Sequence, residues 1–130
     1  MKVFVDSNVL LDVIFERKPH FQDSKNILEL IGYTSSLIIA NCFYVLESQI
    51  YTEKALQAIK MLRQLLIVLP FTDKEIVESI NSPIKDFEDG IQVSIAKNFG
   101  IQTIITRNVT DFNYSDCDVL TPSNFLKLKK

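Results

Sequence analysis

Three short stretches of the chain place carboxylate side chains where a strand is expected to end or a helix to begin. Asp6 follows the apolar run 3–5, Asp111 follows a β-branched run, and Asp86 and Asp89 lie three residues apart at a predicted helix start. Functional sites of open α/β sheets form at the carboxyl ends of strands, so these acids are candidates for one shared crevice. Crowded carboxylates repel each other unless a cation lies between them. The pattern therefore indicates a site for a hard divalent cation.

Mg²⁺ or Mn²⁺ would give such a cluster a definite chemistry. A Mg²⁺ ion that is held by one or two carboxylates keeps several of its water ligands. One of these waters becomes a nucleophile, and the metal stabilises the charge that develops in an in-line displacement at phosphorus. The first hypothesis is therefore metal-dependent hydrolysis of a phosphodiester bond.

Each acid also has a purely structural explanation. Asp6 is well placed to cap the helix that follows it, and Asp86 and Asp89 lie in a helical first turn, where the helix dipole favours negative charge. Asp111 suits a polar loop. Arg107, nearby in the sequence, suits a phosphate contact and an ion pair with an acid equally well. The apolar residues that follow Asp89 predict a helix that packs closely on the sheet. Of Asp86 and Asp89, Asp89 is therefore better placed to take part in a site.

The segments that must position these acids alternate between strand-like and helix-like patterns. Strands are predicted at 2–5, 33–35, 67–69, 102–106 and 119–120. Helices are predicted over 8–16, 21–31, about 36–51, 53–66, about 72–81, 86–99 and from 122 onward. Gly32 and Gly100 are the predicted stops of the second and sixth helices. The fifth is predicted to begin with the Thr72–Glu75 capping box, and the last with Pro122. This alternation predicts an α/β fold in which helices cover both faces of a mostly parallel sheet, a three-layer α/β/α sandwich.

Composition and charge bound the alternatives. A chain of 130 residues is expected to form one domain over 1–130, and 47% hydrophobic with 23% charged residues is ordinary for a globular protein. The net charge of −2 means that nucleic-acid binding has to come from local basic residues. Cys42 and Cys117 lack metal-ligand spacing, and the longest uncharged stretch is too polar for a membrane helix. We expect a cytoplasmic, reduced protein without a membrane partner.

Several motifs taken together resemble a PIN domain. They are VDSNVLLD at 5–12, DFEDGIQ at 86–92, TRN at 106–108 with DF at 111–112, and LTP at 120–122 with FL at 125–126. The resemblance covers essentially the whole chain. It implies a small α/β/α fold, a metal-dependent ribonuclease site and, often, a homodimer. Many bacterial and archaeal members resemble VapC-type toxins, so RNA, a cognate antitoxin and a second copy of the chain are the partners that the resemblance implies.

The same resemblance carries over to individual positions. Asp6, Asp89 and Asp111 match the metal-site acids of the family. The residues that match its supporting polar side chains are Asn8, Thr106 and Asn108.

One position departs from the family pattern. PIN nucleases usually place a Glu on the helix after the second strand, and Asn41 stands there in this chain. Glu47 lies six residues further on, about 240° around the helix, and cannot share that face. Asn offers an oxygen ligand but removes one negative charge, for which Asp86 is an available substitute. Glu88 is expected to point elsewhere and to be solvated.

Three functions therefore stay open. The first is a metal-dependent endoribonuclease, with the toxin of a toxin–antitoxin pair as one form of it. The second is a PIN-like scaffold that binds RNA or a partner protein without cutting. The third, a phosphotransfer enzyme of another α/β family, is disfavoured: haloacid-dehalogenase-like phosphatases need a second Asp where Asn8 stands, and Arg107 is a poor match for the lysine of receiver domains.

Overall fold

A five-stranded parallel sheet forms the centre of the computed structural model, which describes residues 2–113 and 115–129. The strands are β1 (Val3–Val5), β2 (Gly32–Ser35), β3 (Leu66–Leu69), β4 (Thr103–Ile105) and β5 (Asp118–Leu120). They are arranged in the order β3-β2-β1-β4-β5, and every pairing is parallel. The strand order reverses between β1 and β4, and such a reversal is where α/β sheets form a crevice at their carboxyl edge.

Helices connect and cover these strands. Within the described residues they are α1 (Ser7–Ile14), α2 (Phe21–Leu28), α3 (Ser36–Glu47), α4 (Thr52–Leu65), α5 (Asp73–Ile80), α6 (Phe87–Asn98) and α7 (Pro122–Leu128), with a 3₁₀ turn at Val109–Phe112. The architecture confirms the predicted three-layer α/β/α fold. In the part of the chain that is described, no helix is long and apolar enough to cross a membrane.

The core is centred on the two middle strands. All three residues of β1 and all three of β4 are buried, and Phe4, Ile104 and Ile105 have no exposed surface. A parallel strand that is buried on both faces needs a continuous apolar run rather than an alternating one, and this is what residues 3–5 provide. The first turn after each of these strands is therefore held rigidly by the core.

Several predicted helix signals are confirmed. Thr72 and Glu75 form the capping box of α5, and Pro122 occupies the first turn of α7. Gly100 adopts a φ of 72°, which ends α6 in the conformation that glycine tolerates best. These signals are local, so they could be predicted without knowledge of the tertiary fold.

Two helix ends were predicted wrongly. Gly32 is not a helix stop: α2 ends at Leu28, and Gly32 is the first residue of β2. A Cβ atom on Gly32 would lie 3.1 Å from Leu66 Cδ2, so the glycine allows a close approach between neighbouring strands. Helix α3 ends at Glu47 rather than near residue 51, and Tyr51 adopts the extended conformation of the N-cap that precedes α4.

Candidate active site

Asp6 lies where β1 passes into α1. Its backbone N–H donates to the Ile105 carbonyl over 3.0 Å, so the residue continues the pairing of β1 with β4. Its Oδ1 accepts from the Ser7 N–H over 2.8 Å, as a helix cap does. Its Oδ2 accepts from Thr106 Oγ1 over 2.8 Å and from Asn8 Nδ2 over 3.2 Å. The carboxylate is thus fixed in one orientation at the carboxyl edge of the sheet.

A polar network joins the ends of β1 and β4 around this carboxylate. Asn8 Nδ2 also donates to Thr106 Oγ1 over 3.1 Å, and Asn8 Oδ1 accepts from the Arg107 N–H over 3.0 Å. Thr106 Oγ1 accepts from the Asn108 N–H over 3.0 Å, while the Asn108 residue itself is exposed. The structure therefore places Asn8 and Thr106 directly on Asp6, whereas Asn108 contributes to the network through its backbone.

The surroundings of Asp6 disfavour its charge. Burial raises the pKa of its carboxyl, the hydrogen bonds from Thr106 and Ser7 lower it in part, and the negative charge of Asp111 raises it again. The net direction is upward. A buried carboxylate with a second acid near it is in the condition that a bound cation would relieve.

Asp89 lies in the first turn of α6 and faces the same acids. Asp86 is the N-cap of this helix, and its Oδ1 accepts from the Asp89 N–H over 2.9 Å. Burial raises the pKa of the half-buried Asp89 carboxyl to about 7, together with the negative charges of Asp86, Asp6, Asp111 and Glu88. The pKa of Asp89 is therefore raised by the negative charges of all the other acids in the cluster.

Asp111 approaches the cluster from the 3₁₀ turn after β4. Phe112 is buried beside it and anchors the turn, while Asp111 itself is exposed. A cavity of about 210 Å³ borders Asp111 and Asp86, and Lys85 also lines it. The carboxyl edge of the sheet thus carries acids from three separate segments of the chain, with an open cleft beside them.

These acids suit a divalent cation in chemistry, although they do not form a closed cage. Across residues 2–113 and 115–129, no three His, Cys, Asp or Glu side chains converge closely enough to hold a metal ion as they stand. The available donors are carboxylate oxygens, which hard cations prefer. The raised pKa values of Asp6 and Asp89 reflect burial first and the negative charges of neighbouring acids second. In the type of their donor atoms, these acids suit a hard divalent cation.

Arg107 forms an ion pair that the sequence left open. Its Nε donates to Asp12 Oδ2 over 2.6 Å and its Nη2 to Asp12 Oδ1 over 3.1 Å. Asp12 is completely buried, and Nη1 of Arg17 lies 3.6 Å from its Oδ1. The partner of Arg107 is thus a buried acid of α1. The acid at position 12, within the apolar pattern of residues 9–14, is the only local hint of this pair, and it does not identify the partner.

Asn41 and Glu88 form a contact that sequence reasoning missed. Asn41 Nδ2 on α3 donates to Glu88 Oε2 on α6 over 2.9 Å. The buried Ser35 Oγ donates to Gln92 Oε1 over 2.7 Å, so the amino-terminal halves of α3 and α6 lie side by side. Glu88 is exposed, as expected, but it does not point away from α3: its carboxylate is bound to the residue that replaces the usual Glu.

The match to known sequences agrees with this geometry. A sequence model of the PIN domain matches residues 2–110, and the chain belongs to the PIN domain family. It is 34% identical over 135 residues to Ribonuclease VapC1 of Aquifex aeolicus (strain VF5), an alignment that covers 95% of this chain and 92% of that protein.

Solved structures agree on the fold. A toxin–antitoxin complex from Klebsiella pneumoniae superposes with a TM-score of 0.71 at 19% identity, covering 92% of this chain and 97% of that one. Mycobacterium tuberculosis VapC20, described as a Sarcin-Ricin loop cleaving toxin, gives a TM-score of 0.70 at 13% identity over 88% of this chain and 97% of that one. At these identities the likeness concerns the fold alone.

Proposed function

We propose that this protein is a metal-dependent endoribonuclease that hydrolyses RNA phosphodiester bonds, and that it acts as the toxin of a toxin–antitoxin pair. The observation that carries the proposal is the gathering of Asp6, Asp89 and Asp111 at one sheet edge, where their charges act on one another. The relative named Ribonuclease VapC1 supports the choice of RNA as the substrate.

Each acid has a separate part in the proposed site. A bound Mg²⁺ or Mn²⁺ would supply an activated water and stabilise charge on the phosphate. Asp6 offers a carboxylate that Ser7, Asn8 and Thr106 hold in place. Asp89 has to lose its proton when the cation binds, because its pKa is about 7 in the absence of metal. Asp111, on the exposed side, completes the oxygen donors.

Asp86 has a supporting part in this proposal. Its side chain caps α6 through the Asp89 N–H, and its charge raises the pKa of Asp89. We propose that it fixes the first turn of the helix and adds negative charge near the cation.

The RNA strand has a plausible approach along the cleft beside the acids. Lys85 lines the cavity that borders Asp86 and Asp111, and a lysine there suits a backbone phosphate. Asp12 engages Nε and Nη2 of Arg107, so the phosphate contact that we propose for Arg107 falls to its Nη1 atom. Local cations of this kind are needed because the chain as a whole has a net charge of −2.

The competing function is a PIN-like domain that binds RNA or a partner protein without cutting. It rests on Asn41, which lacks the charge of the usual Glu. The comparisons do not favour it, since the relative that is 34% identical to this chain is named a ribonuclease. We therefore propose that Asn41 is compatible with catalysis.

An antitoxin and a second copy of the chain are the proposed protein partners. An apolar groove of about 700 Å³ lies between α1, α2 and α4, and we propose it as the antitoxin surface. For the homodimer, the apolar face of residues 53–66 is only partly available, because Ala55 and Leu62 of that face are buried within the protomer. The exposed Leu56 of α4, which does not line that groove, is the better candidate. We propose the cytoplasm, where RNA substrates are available, as the location.

The proposed activity is tested with a mixed single-stranded RNA pool in the presence of Mn²⁺. We expect the wild type to cut the pool and excess chelator to stop the reaction. Asp89→Asn should lower the rate at least about 100-fold, which is roughly the loss from removing one key electrostatic group. Asp118→Asn is the matched control, because Asp118 is exposed at the amino end of β5, on the opposite edge of the sheet. Equal rates for wild type and Asp89→Asn would refute the proposed site.

A further inference from the structure

A cavity of about 280 Å³ lies between the start of α2 and the segments that follow β4 and β5. It shares no lining residue with the cleft beside the acids or with the apolar groove. Apart from one proline, the residues that line it have polar side chains: His20, Asp23, Ser24, Arg107, Thr121 and Ser123. Such a lining suits a ligand that forms hydrogen bonds.

The walls of this cavity continue directly from the polar network around Asp6. Arg107 follows Thr106, whose Oγ1 donates to Asp6 Oδ2 over 2.8 Å. The Thr106 N–H donates to the Leu120 carbonyl over 3.0 Å, and Thr121 is the next residue after Leu120. Two walls of the cavity therefore begin one residue beyond the network. A polymer bound at Asp6 would bring its neighbouring unit to this cavity.

The cavity is lined by groups that still have hydrogen-bonding capacity. Ser24 is completely buried, and among the described residues its Oγ has no hydrogen-bond partner. Buried hydroxyls are normally paired, so an unpaired one beside a cavity points to a partner from outside the chain. None of the ion pairs formed by the described residues includes Asp23. Arg107 contacts Asp12 through Nε and Nη2, which leaves Nη1 for a ligand.

The charges of the lining distinguish this cavity from an anion site. Asp23 would repel a phosphate group, and the positive charge of Arg107 is already partly balanced by Asp12. A neutral group that carries both N–H donors and oxygen or nitrogen acceptors can engage Asp23 and Arg107 together. The unpaired bases of single-stranded RNA have this character, and proteins recognise them by hydrogen bonds to their edges.

We propose that this cavity binds an unpaired guanine base of the RNA, next to the site of cleavage. The inference rests on the proposed ribonuclease function, which makes RNA the ligand. Guanine presents two adjacent donors, N1–H and N2–H, to the two oxygens of the Asp23 carboxylate, and no other RNA base does so. Its O6 and N7 are the acceptors that arginine commonly contacts. Nη1 of Arg107 carries two N–H groups, so one contacts the base and the other is left for the backbone phosphate.

The test is an NMR titration of the ¹⁵N-labelled protein with mononucleotides, in chelator and without RNA cleavage. We expect GMP to shift the amide signals of Ser24 and Arg107, and to bind at least about 10-fold more tightly than AMP, as one good base contact allows. IMP, which lacks only the 2-amino group of GMP, should bind more weakly than GMP. Inorganic phosphate at the same concentrations should leave these signals unchanged.

Two buried serines provide a matched pair of variants. Ser24→Ala removes a hydroxyl that has no described partner, so it should weaken GMP binding roughly 2- to 10-fold without lowering the melting temperature. Ser79 Oγ donates to the Phe87 carbonyl over 2.7 Å. Ser79→Ala should therefore lower the melting temperature and leave GMP binding unchanged. A merely structural role for Ser24 would give the behaviour of Ser79→Ala at both positions and would refute the inference.

Two acids that lie in the first turn of a helix provide a second pair. Asp23→Asn in α2 should weaken GMP binding about 10-fold or more, because a charged acceptor is lost from the base. Asp73→Asn in α5 should bind GMP as the wild type does. Equal affinities of Asp23→Asn and the wild type would refute the assignment of guanine.

The outcomes separate this inference from the proposed function. If GMP leaves the signals of Ser24 and Arg107 unchanged while the wild type cuts RNA with Mn²⁺, the base site is refuted and the nuclease stands. If inorganic phosphate shifts the signals as GMP does, the cavity is an anion site and the inference is refuted. If GMP binds as expected but no RNA is cut, the guanine site stands and the proposed nuclease is refuted.

Discussion

Thr106 Oγ1 donates a hydrogen bond of 2.8 Å to Oδ2 of Asp6, and this bond joins the first residues after the two central strands. The residues are 100 positions apart, and both are buried. Because β1 and β4 are parallel neighbours, their carboxyl ends lie side by side, and a hydroxyl at one end reaches an acid at the other. The bond fixes the Asp6 carboxylate before any ligand arrives.

Thr106→Val tests the importance of this bond, since it replaces the hydroxyl with a methyl group of similar size. We expect the free energy of unfolding to fall by roughly 1–3 kcal/mol, because a buried carboxylate loses a hydrogen-bond donor. Urea unfolding measures this loss, and Mn²⁺ binding should weaken in parallel. Thr110→Val, at an exposed position of the nearby 3₁₀ turn, is the control and should change neither quantity. Unchanged stability of Thr106→Val would contradict the assigned role.

Asp89→Asn is expected to stabilise the metal-free protein at neutral and alkaline pH. The folded pKa of about 7 lies above the ordinary value of 3.8, so the folded state binds more protons than the unfolded state between these values. Wild-type stability in chelator should therefore fall as the pH rises from about 4 to 7, and the variant should lack this fall. Thermal unfolding of both proteins at pH 5 and pH 8 measures this difference in stability. A variant that is more stable by about 1 kcal/mol would melt about 4 °C higher. A variant that is less stable than the wild type at pH 8 would contradict this prediction.

The affinity for Mn²⁺ is expected to rise with pH up to about 7 and then to level off. Binding requires the carboxylate form of Asp89, and its pKa of about 7 means that a proton has to leave at lower pH. Calorimetric titrations at pH 5.5, 6.5, 7.5 and 8.5 would follow this dependence, in buffers of different ionisation enthalpy so that the released proton is counted. An affinity that does not change over this range would show that Asp89 does not bind the cation.

Arg107→Met is expected to destabilise the fold strongly, whatever its effect on RNA. It would leave the completely buried Asp12 with Arg17 alone at 3.6 Å, and breaking one side of a buried ion pair costs about 3–5 kcal/mol. Chemical unfolding measures the cost, and Arg63→Met on the exposed side of α4 serves as the control. The double variant Asp12→Leu with Arg107→Met should recover much of the loss. If Arg107→Met unfolds at the wild-type denaturant concentration, the ion pair is unimportant for stability.

The signals that were read correctly from the sequence are local ones. The apolar run 3–5, the Thr72 capping box and the Gly100 stop each depend on residues within one turn or one strand. Gly32 was misjudged because its small size serves a contact with Leu66, which lies on the neighbouring strand. A stop glycine and a close-packing glycine look alike in the sequence.

In the candidate site, too, local features could be predicted from the sequence and contacts between distant residues could not. Its acids could be predicted because they stand directly after strands or at a helix start, and sheet topology then brings such positions together. The bonds that organise them could not be predicted, since Arg107 meets Asp12 across 95 residues and Asn41 meets Glu88 across 47. Those partners depend on how the helices are oriented around the sheet, which no local pattern contains.

The central claim is that Asp6, Asp89 and Asp111 hold one divalent cation at the carboxyl edge of the sheet. The most direct test is a crystal of the wild-type protein soaked in Mn²⁺, with anomalous diffraction used to locate the metal. The account predicts a manganese peak with carboxylate oxygens of Asp6 and Asp89 at about 2.0–2.6 Å, in the range for hard cations bound by oxygen. Asp111 should lie beside them, bound directly or through a water. A crystal that takes up no manganese at this edge, or takes it up elsewhere on the protein, would contradict the account.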